Sequence, residues 1–570
     1  FANTGLRHTE YPERFANTEN PEVSRPEPLR SGVAVDVQQR HPRITISFAS
    51  SRLRVSEFPS RPRVSESPIT DTPLPNCGHS GFDIITEIVI FVTIAGARSI
   101  VGNPPVLRRC TDPLVLITLN TVMIFKTFPG GVHPAEQKEL SEHCAFEIMP
   151  DPDVVILPLS QHLGKQARPL VEKRAVVVKG QVVAEADGFI SAPVHSPVNG
   201  TVKSIGRESN ASGFVKDALV IIPAAPAEGE EAPTQQFLPP LDAATVSPAD
   251  IRARVKEAGI VGQGGAAFPT FVKLSPPEGK TIEVVILNGC ECEPYLTRDH
   301  RFMLERPEAI VGGLQLIMRA LGVRKGAIGI ENNKPDAIEA MRRAVQGVEG
   351  LEVVALKTKY PQGAEKMLIK AVNGREVPVG KLPLDVGAVI QNIGTAVAVF
   401  DAVTKGEPSL TAALTITGHG IRTPKNLIVP VGTPLRNVIA YCGGLTDDAA
   451  KVIVGGPMMG VAQHDLSAPV MKATSGIVVL TKAQARAEEE TACLRCGKCI
   501  DACPLHLQPT RLARTSQLGM LEQAEEYGIT VCMECGSCAY TCPAHIPLVQ
   551  WLRLGKQKVI QMQRKRSATT

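Results

Sequence analysis

Cys493-Leu-Arg-Cys496-Gly-Lys-Cys499-Ile-Asp-Ala-Cys503-Pro504 is answered, one spacer later, by Cys532-Met-Glu-Cys535-Gly-Ser-Cys538-Ala-Tyr-Thr-Cys542-Pro543. Both stretches read C-x2-C-x2-C-x3-C-P, the spacing that holds a pair of [4Fe–4S] centres. Three thiolates must reach one cube, so the chain turns tightly between them, and Gly497 and Gly536 relax that turn. In this pattern the fourth cysteine serves the other cube. Cys493, Cys496, Cys499 and Cys542 are therefore expected to hold one cluster, and Cys532, Cys535, Cys538 and Cys503 the other. A structural zinc site takes four ligands and has no use for the third C-x2 step. Between the copies, Pro504 to Thr530 carries Leu512, Leu518, Leu521 and Ala524 at roughly helical intervals, which predicts a helical cluster domain.

Composition bounds the rest. At roughly 150 residues per domain, 570 residues predict several modules. Aromatics make up only 4%, against 48 glycines and 46 prolines, so the modules are compact and rich in turns. A formal net charge of +4 is small for this length and gives no case for nucleic acid. Of fourteen cysteines, eight belong to the repeated motif. Cys77, Cys110, Cys144, Cys290, Cys292 and Cys442 show no pairing pattern, and thiolate clusters fit a reducing interior. The apolar run from Ile84 to Ala97 contains Glu87 and is shorter than the ~20 residues that span a bilayer, so no membrane span is expected. Any membrane attachment would run through partners. The basic tail with Lys556, Lys558, Arg564, Lys565 and Arg566 reads as a solvated terminus rather than a lipid contact.

Residues 1–122 differ in kind. Phe-Ala-Asn-Thr occurs at 1–4 and 15–18, Arg-Val-Ser-Glu at 54–57 and 63–66, and no period appears before Ile84. Such composition predicts disorder, and the functional chain is expected to start near Met123. From 123 to 222, short apolar runs such as Asp153–Leu157, Ala175–Val178 and Gln181–Ala184 read as strands. Asn199-Gly200 is a strong hairpin signal of the kind seen in lipoyl-type barrel-sandwich domains. No lysine stands at its tip, which favours packing and docking over lipoate attachment. His133, His162 and His195 lack partners at ligand spacing and read as structural. The stretch 223–246 opens on a linker rich in Ala, Pro and Glu.

Ser247-Pro248-Ala249-Asp250 is a helix start, and the helix is expected to end at Gly259. Gly262-Gln-Gly264-Gly265-Ala-Ala267-Phe268-Pro269 follows, then Lys273. Glycines so placed let backbone N–H groups approach an anion, and the lysine adds charge. Ile282–Leu287 reads as a buried strand running into Asn288-Gly-Cys-Glu291-Cys-Glu293-Pro294-Tyr295. Pro307–Leu321 reads as a helix closed by Gly322, with further strands at Ala327–Ile330 and Leu351–Leu356. Alternation of this kind predicts a parallel α/β sheet that binds ligands at the strand C-terminal ends.

Gly262–Lys273 with Asn288–Tyr295 resembles the flavin and nicotinamide site of the NADH-oxidising subunit of respiratory NADH dehydrogenases. Gly130-Gly-Val-His133-Pro134, Pro158-Leu-Ser-Gln161-His162, Tyr360-Pro-Gln-Gly363-Ala-Glu365 and Gln391-Asn392-Ile-Gly394-Thr395 resemble, in order, the RnfC family of Rnf-type electron transport complexes. The resemblance spans about 123–550. It implies FMN held by Gly262, Gly264, Gly265, Lys273, Asn288 and Asn392, with Glu291, Glu293, Tyr295 and Glu365 near NAD(H). Ala267 stands where the family often has glycine, which would strain the loop if that position needs positive φ. Residues 409–465, with Gly455-Gly456-Pro457-Met458-Met459-Gly460, resemble an SLBB-like β-grasp module, read here as a spacer.

The chain is thus expected to be a multidomain α/β protein. A β-rich barrel-sandwich-like module (123–222) precedes a parallel α/β flavin and NADH domain (247–408) and the β-grasp module (409–465). A helical two-cluster ferredoxin domain (466–550) and the basic tail (551–570) complete it. The resemblance implies a nicotinamide-facing, ion-translocating oxidoreductase subunit. It would be peripheral at the cytoplasmic face of a bacterial inner membrane, beside integral membrane and iron–sulfur subunits, reaching ferredoxin indirectly. A cobalamin-reductase subunit and a non-enzymatic cluster relay are the competing readings.

Overall fold

The computed structural model describes residues 125–224, 235–486 and 488–569. The expectations for residues 1–122, the start near Met123 and the run Ile84–Ala97 lie outside the described residues.

The β-rich module pairs two small antiparallel sheets. One runs Val155–Pro158, Val215–Pro223, Gly200–Ser209, Val176–Val177, and the other Arg168–Pro169, Val182–Glu185, Val194–His195. Asn199-Gly200 does not close a two-residue hairpin. Ser196 to Asn199 carries the chain from one sheet to the other, and the Asn199 side chain accepts from Lys179 N at 2.7 Å. A corner between packed sheets uses the same turn chemistry as a hairpin.

The parallel sheet forms as expected, in the order Leu351–Leu356, Gly326–Glu331, Val284–Gly289, Ala388–Asn392. Its helices follow their capping signals. Ser247 accepts from Asp250 N at 3.1 Å to start Pro248–Glu257, and Gly322 ends Pro307–Leu321 at φ +69°. Ile310, Leu314, Ile317, Leu287, Ile328 and Val399 make the fully buried core of one face. Because the chain passes outward from Val284–Gly289 and then returns to its other side, Val284–Gly289 and Ala388–Asn392 flank the switch point where such sheets bind ligands.

The β-grasp module is larger than its sequence suggested. Its six-stranded sheet runs Phe146–Ile148, Lys425–Pro430, Thr411–Thr417, Gly476–Thr481, Ala449–Val454, Val461–Gln463. Two of these strands lie outside 409–465, because non-local pairing leaves no mark on local composition. Leu414, Leu427, Val429 and Ile477 share one core with Val155, Leu157, Val202 and Leu219, so the β-grasp and sandwich modules pack as a single body.

The cluster domain is helical, as expected, but the spacer is two helices, Pro509–Gln517 and Leu521–Glu526, interrupted at Gly519 (φ +70°). Leu512 and Ala524 are buried, whereas Leu518 points outward. The tail is no separate element. Leu548–Thr569 is one helix whose Leu552 and Val559 enter the cluster-domain core, with Lys556 Nζ donating to Cys532 O at 2.7 Å. Its apolar stripe was masked by the basic residues on the opposite face.

Candidate functional site

The glycine loop stands on a closed base. Gly262 N donates to Phe268 O (2.8 Å), Thr270 N to Ile260 O (3.0 Å), and Val261 bridges Pro269. Its tip, Gly264 to Ala266, is exposed. Gly264 adopts φ +71°, and a methyl there would press on the Asn392 amide at 3.1 Å, whereas Gly265 faces open space. Ala267 itself sits at φ +54° and is buried, so the position where alanine replaces the family's frequent glycine is one that favours glycine.

Opposite the loop, strand register sets Asn392 beside Asn288 at adjacent strand ends. Asn392 caps the helix Ile393–Thr404 by accepting from Gly394 N at 2.8 Å, and Gln263 N donates to Thr395 Oγ1 at 2.9 Å, tying loop to helix start. Asn392 is oriented by a buried ion pair. Its Nδ2 donates to Asp299 (2.7 Å), its Oδ1 accepts from Arg298 (3.1 Å), and Arg298 contacts Asp299 at 2.6 Å. Burial raises the Asp299 pKa, and the adjoining guanidinium opposes that shift. Lys273 Nζ lies at the rim, donating to Glu365 (2.9 Å) and Ile390 O (3.0 Å). Asn288 Nδ2 donates to Gly363 O at 2.8 Å.

The structure thus gathers Gly262, Gly264, Gly265, Lys273, Asn288, Asn392 and Glu365 around the switch point. The three remaining candidates lie on the loop beyond Gly289 and are otherwise engaged. Glu291 (φ +48°) caps the helix Arg298–Glu305, accepting from Asp299 N at 2.7 Å and His300 N at 3.1 Å. Tyr295 (φ +71°) accepts from Gln484 Nε2 at 3.1 Å. Glu293 reaches the β-grasp module, accepting from Met458 N (3.0 Å) and Met459 N (2.9 Å), and burial pushes its pKa up to about 7. Buried Lys138 anchors this loop by donating to the carbonyls of Glu291, Glu293 and Leu296 at 2.9, 3.1 and 2.6 Å. Lys138, Lys334 (which holds Cys290 O at 2.8 Å) and the Arg298–Asp299 pair escaped the sequence reading. Only Arg298-Asp299, just past Tyr295, carried a local charge signal.

The cluster motifs repeat in space as they do in sequence. Gly497 and Gly536 take φ +78° and +83°, and the matched pairs Arg495/Glu534 and His506/His545 are also left-handed. Arg495 N and Glu534 N each lie 3.4 Å from the first sulfur of their motif. Cys503, Cys532, Cys535 and Cys538 line one cavity, the fourth sulfur coming from the first copy. Cys542 stands beside Cys499. Among the described residues no three Cys, His, Asp or Glu side chains gather tightly enough for a single ion. Sulfurs at about 2.3 Å from one zinc would have to nearly touch, whereas a cube spreads its thiolates over four irons. This donor set suits the cube. The glycine-lined approach, the helix N-terminus, two amide heads and Lys273 likewise suit a flavin phosphate and ring.

A flavin cradle at the switch point beside paired clusters defines an electron-transfer flavoprotein of the iron–sulfur type. Four family models match in order: the RnfC barrel sandwich hybrid domain over 126–225, the Nuo51 FMN-binding domain over 255–401, the SLBB domain over 414–462 and the 4Fe-4S dicluster domain over 486–543. The RnfC-type protein of the proton-translocating ferredoxin:NAD(+) oxidoreductase complex of Clostridium ljungdahlii is 46% identical over 76% of this chain and 94% of its own. Its Na(+)-translocating counterpart from Acetobacterium woodii is 45% identical over 77% and 98%, and the Rhodobacter capsulatus counterpart 44% over 76% and 83%. The chain belongs to this family, the RnfC-type subunits of the ion-translocating ferredoxin:NAD oxidoreductase complexes.

Proposed function

We propose that the chain is the nicotinamide-facing peripheral subunit of an Rnf-type complex, passing electrons between NAD(H), FMN and two [4Fe–4S] clusters. The observation that carries this reading is the adjacency of the flavin domain to the second cluster motif. Tyr360, three residues before Gly363, donates from its hydroxyl to Cys535 O at 2.7 Å, and Gly131 N donates to Ala502 O at 2.9 Å. When bound, FMN exchanges an electron pair with the nicotinamide as hydride and single electrons with the clusters. The chain's own work is placement. Gly264 and Gly265 admit the cofactor to backbone distance, Asn288 and Asn392 present oriented amides, and Lys273 with the start of Ile393–Thr404 meets the phosphate. Glu365, half-exposed at the rim, faces the incoming nucleotide. The eight cysteines take up the cubes in the crossed arrangement. No side chain needs to move a proton for electrons to pass.

Among the described residues no helix is long and apolar enough to cross a membrane. In this reading partner subunits, integral membrane and iron–sulfur proteins among them, hold the chain at the cytoplasmic face of the inner membrane and connect it to ferredoxin. The test is an anaerobic NADH titration of the chain reconstituted with iron, sulfide and FMN. Flavin bleaching followed by cluster reduction is expected. A bound flavin that NADH leaves oxidised would return the chain to a cluster relay.

A further inference from the structure

Glu293 is placed unlike a nucleotide contact. Its carbonyl is tied down by Lys138 and its carboxylate is spent on the backbone of Met458 and Met459. The loop it grips, Gly455–Gly460, is shaped to receive it. A methyl on Gly456 would overlap the Glu293 carboxylate, and one on Gly460 would overlap Gly456 O. The far side of the same loop meets the cluster domain. Met458 O lies 3.1 Å from where a Cβ on Gly536 would stand, and Gly536 is the turn between Cys535 and Cys538. The Met458 side chain packs with Tyr360, Val132, Cys292, Ala502, Met533 and Cys535. One loop of the β-grasp module therefore touches the flavin domain through Glu293 and the second cluster motif through Met458.

We propose that Glu293 is a positioning residue: acting through the Met458–Met459 backbone, it latches the Gly455–Gly460 loop against the Cys535–Cys538 turn and so sets the seat of that cluster beside the flavin domain. The β-grasp module is then part of the electron path's scaffold rather than a spacer. This rests on the proposed electron path, but the latch itself has a readout that does not.

The experiment compares the wild-type holoprotein with Glu293→Ala, Glu293→Gln and Gly456→Ala. Hydrogen exchange at 455–460 is expected to quicken about tenfold in E293A, the scale of one lost hydrogen bond to a charged group. E293Q, keeping one acceptor oxygen, recovers part of the protection. G456A leaves the carboxylate in place but wedges it away, and it reproduces E293A even if E293A folds poorly. In rapid mixing with NADH, flavin reduction and the KM for NADH stay unchanged, while cluster reduction slows about tenfold through misplacement. Unchanged exchange in both E293A and G456A overturns the latch. A raised KM for NADH with cluster reduction keeping pace with flavin overturns it too and makes Glu293 a nucleotide contact. Wild-type flavin that NADH fails to reduce counts against the proposed function, and the exchange arm still decides the latch.

Discussion

Ala267 shows how much one methyl decides. At φ +54° an L-residue carries a steric cost of about 1–2 kcal/mol, against roughly 0.5–1 kcal/mol for the extra freedom a glycine would lose. The methyl is buried beside Ala192 and Val261, which returns part of that cost. Ala267→Gly is expected to steady the loop by somewhat under about 1 kcal/mol, seen as slower FMN release on mild heating of the reconstituted protein. Faster release would mean that the packing of the methyl outweighs its strain. The glycine pattern made the loop legible from residues alone. The acidic residues after Asn288 were harder, because a carboxylate looks the same in sequence whether it caps a helix, as Glu291 does, or crosses to another module, as Glu293 does.

At the scale of elements, the cluster motifs are two matched turns that exchange their fourth sulfur. Cys503 follows the short helix Lys498–Asp501 yet lines the cavity of Cys532, Cys535 and Cys538. Cys503→Ser is therefore expected to remove the same cluster as Cys532→Ser, leaving the one held by Cys493, Cys496 and Cys499. Iron content and the electron paramagnetic resonance of the reduced protein separate the cases. If C503S instead matches C493S, the motifs are closed and not crossed. The two clusters also differ in setting: Cys493 and Cys496 are exposed, whereas Cys535 and Cys538 are buried against the flavin side. Spacing alone revealed the crossing, because the rule is local. It carried no word of which cluster faces inward.

Across the whole molecule, Lys472 joins modules that are distant in sequence. It is buried with no carboxylate among its hydrogen-bond partners, donating to Pro193 O (2.7 Å) in the sandwich and to Gly259 O (2.8 Å) at the end of the helix leading to the glycine loop. Burial lowers its pKa from 10.5 to about 7. The folded form therefore resists protonation more than the unfolded chain does. Its contribution is complete above pH 10.5 and is lost as pH falls to about 7. Between those limits the slope is about 1.4 kcal/mol per pH unit. Denaturant midpoints measured from pH 7 to 9 are expected to rise in wild type and to lose that component in Lys472→Met. The variant also starts lower by about 1–3 kcal/mol, since two buried carbonyls lose their donor. An equal slope in both proteins would place Lys472 in contact with water.

The residues alone were enough for everything whose cause is local. Cysteine spacing announced the clusters, Ser247 and Gly322 bounded their helices, and alternation of strand and helix produced the parallel sheet with its glycine loop at the strand ends. Those features depend on φ preferences, capping and periodicity, which act over a few residues. Tertiary structure decided the rest. It brought Phe146–Ile148 and Gly476–Thr481 into the β-grasp sheet, merged two cores into one, and turned the basic terminus into a packed helix. It also sent Glu293, Lys138 and Lys472 across module boundaries. These outcomes come from burial and pairing between segments far apart in the chain, where the gain belongs to the pair and neither partner bears a mark of it.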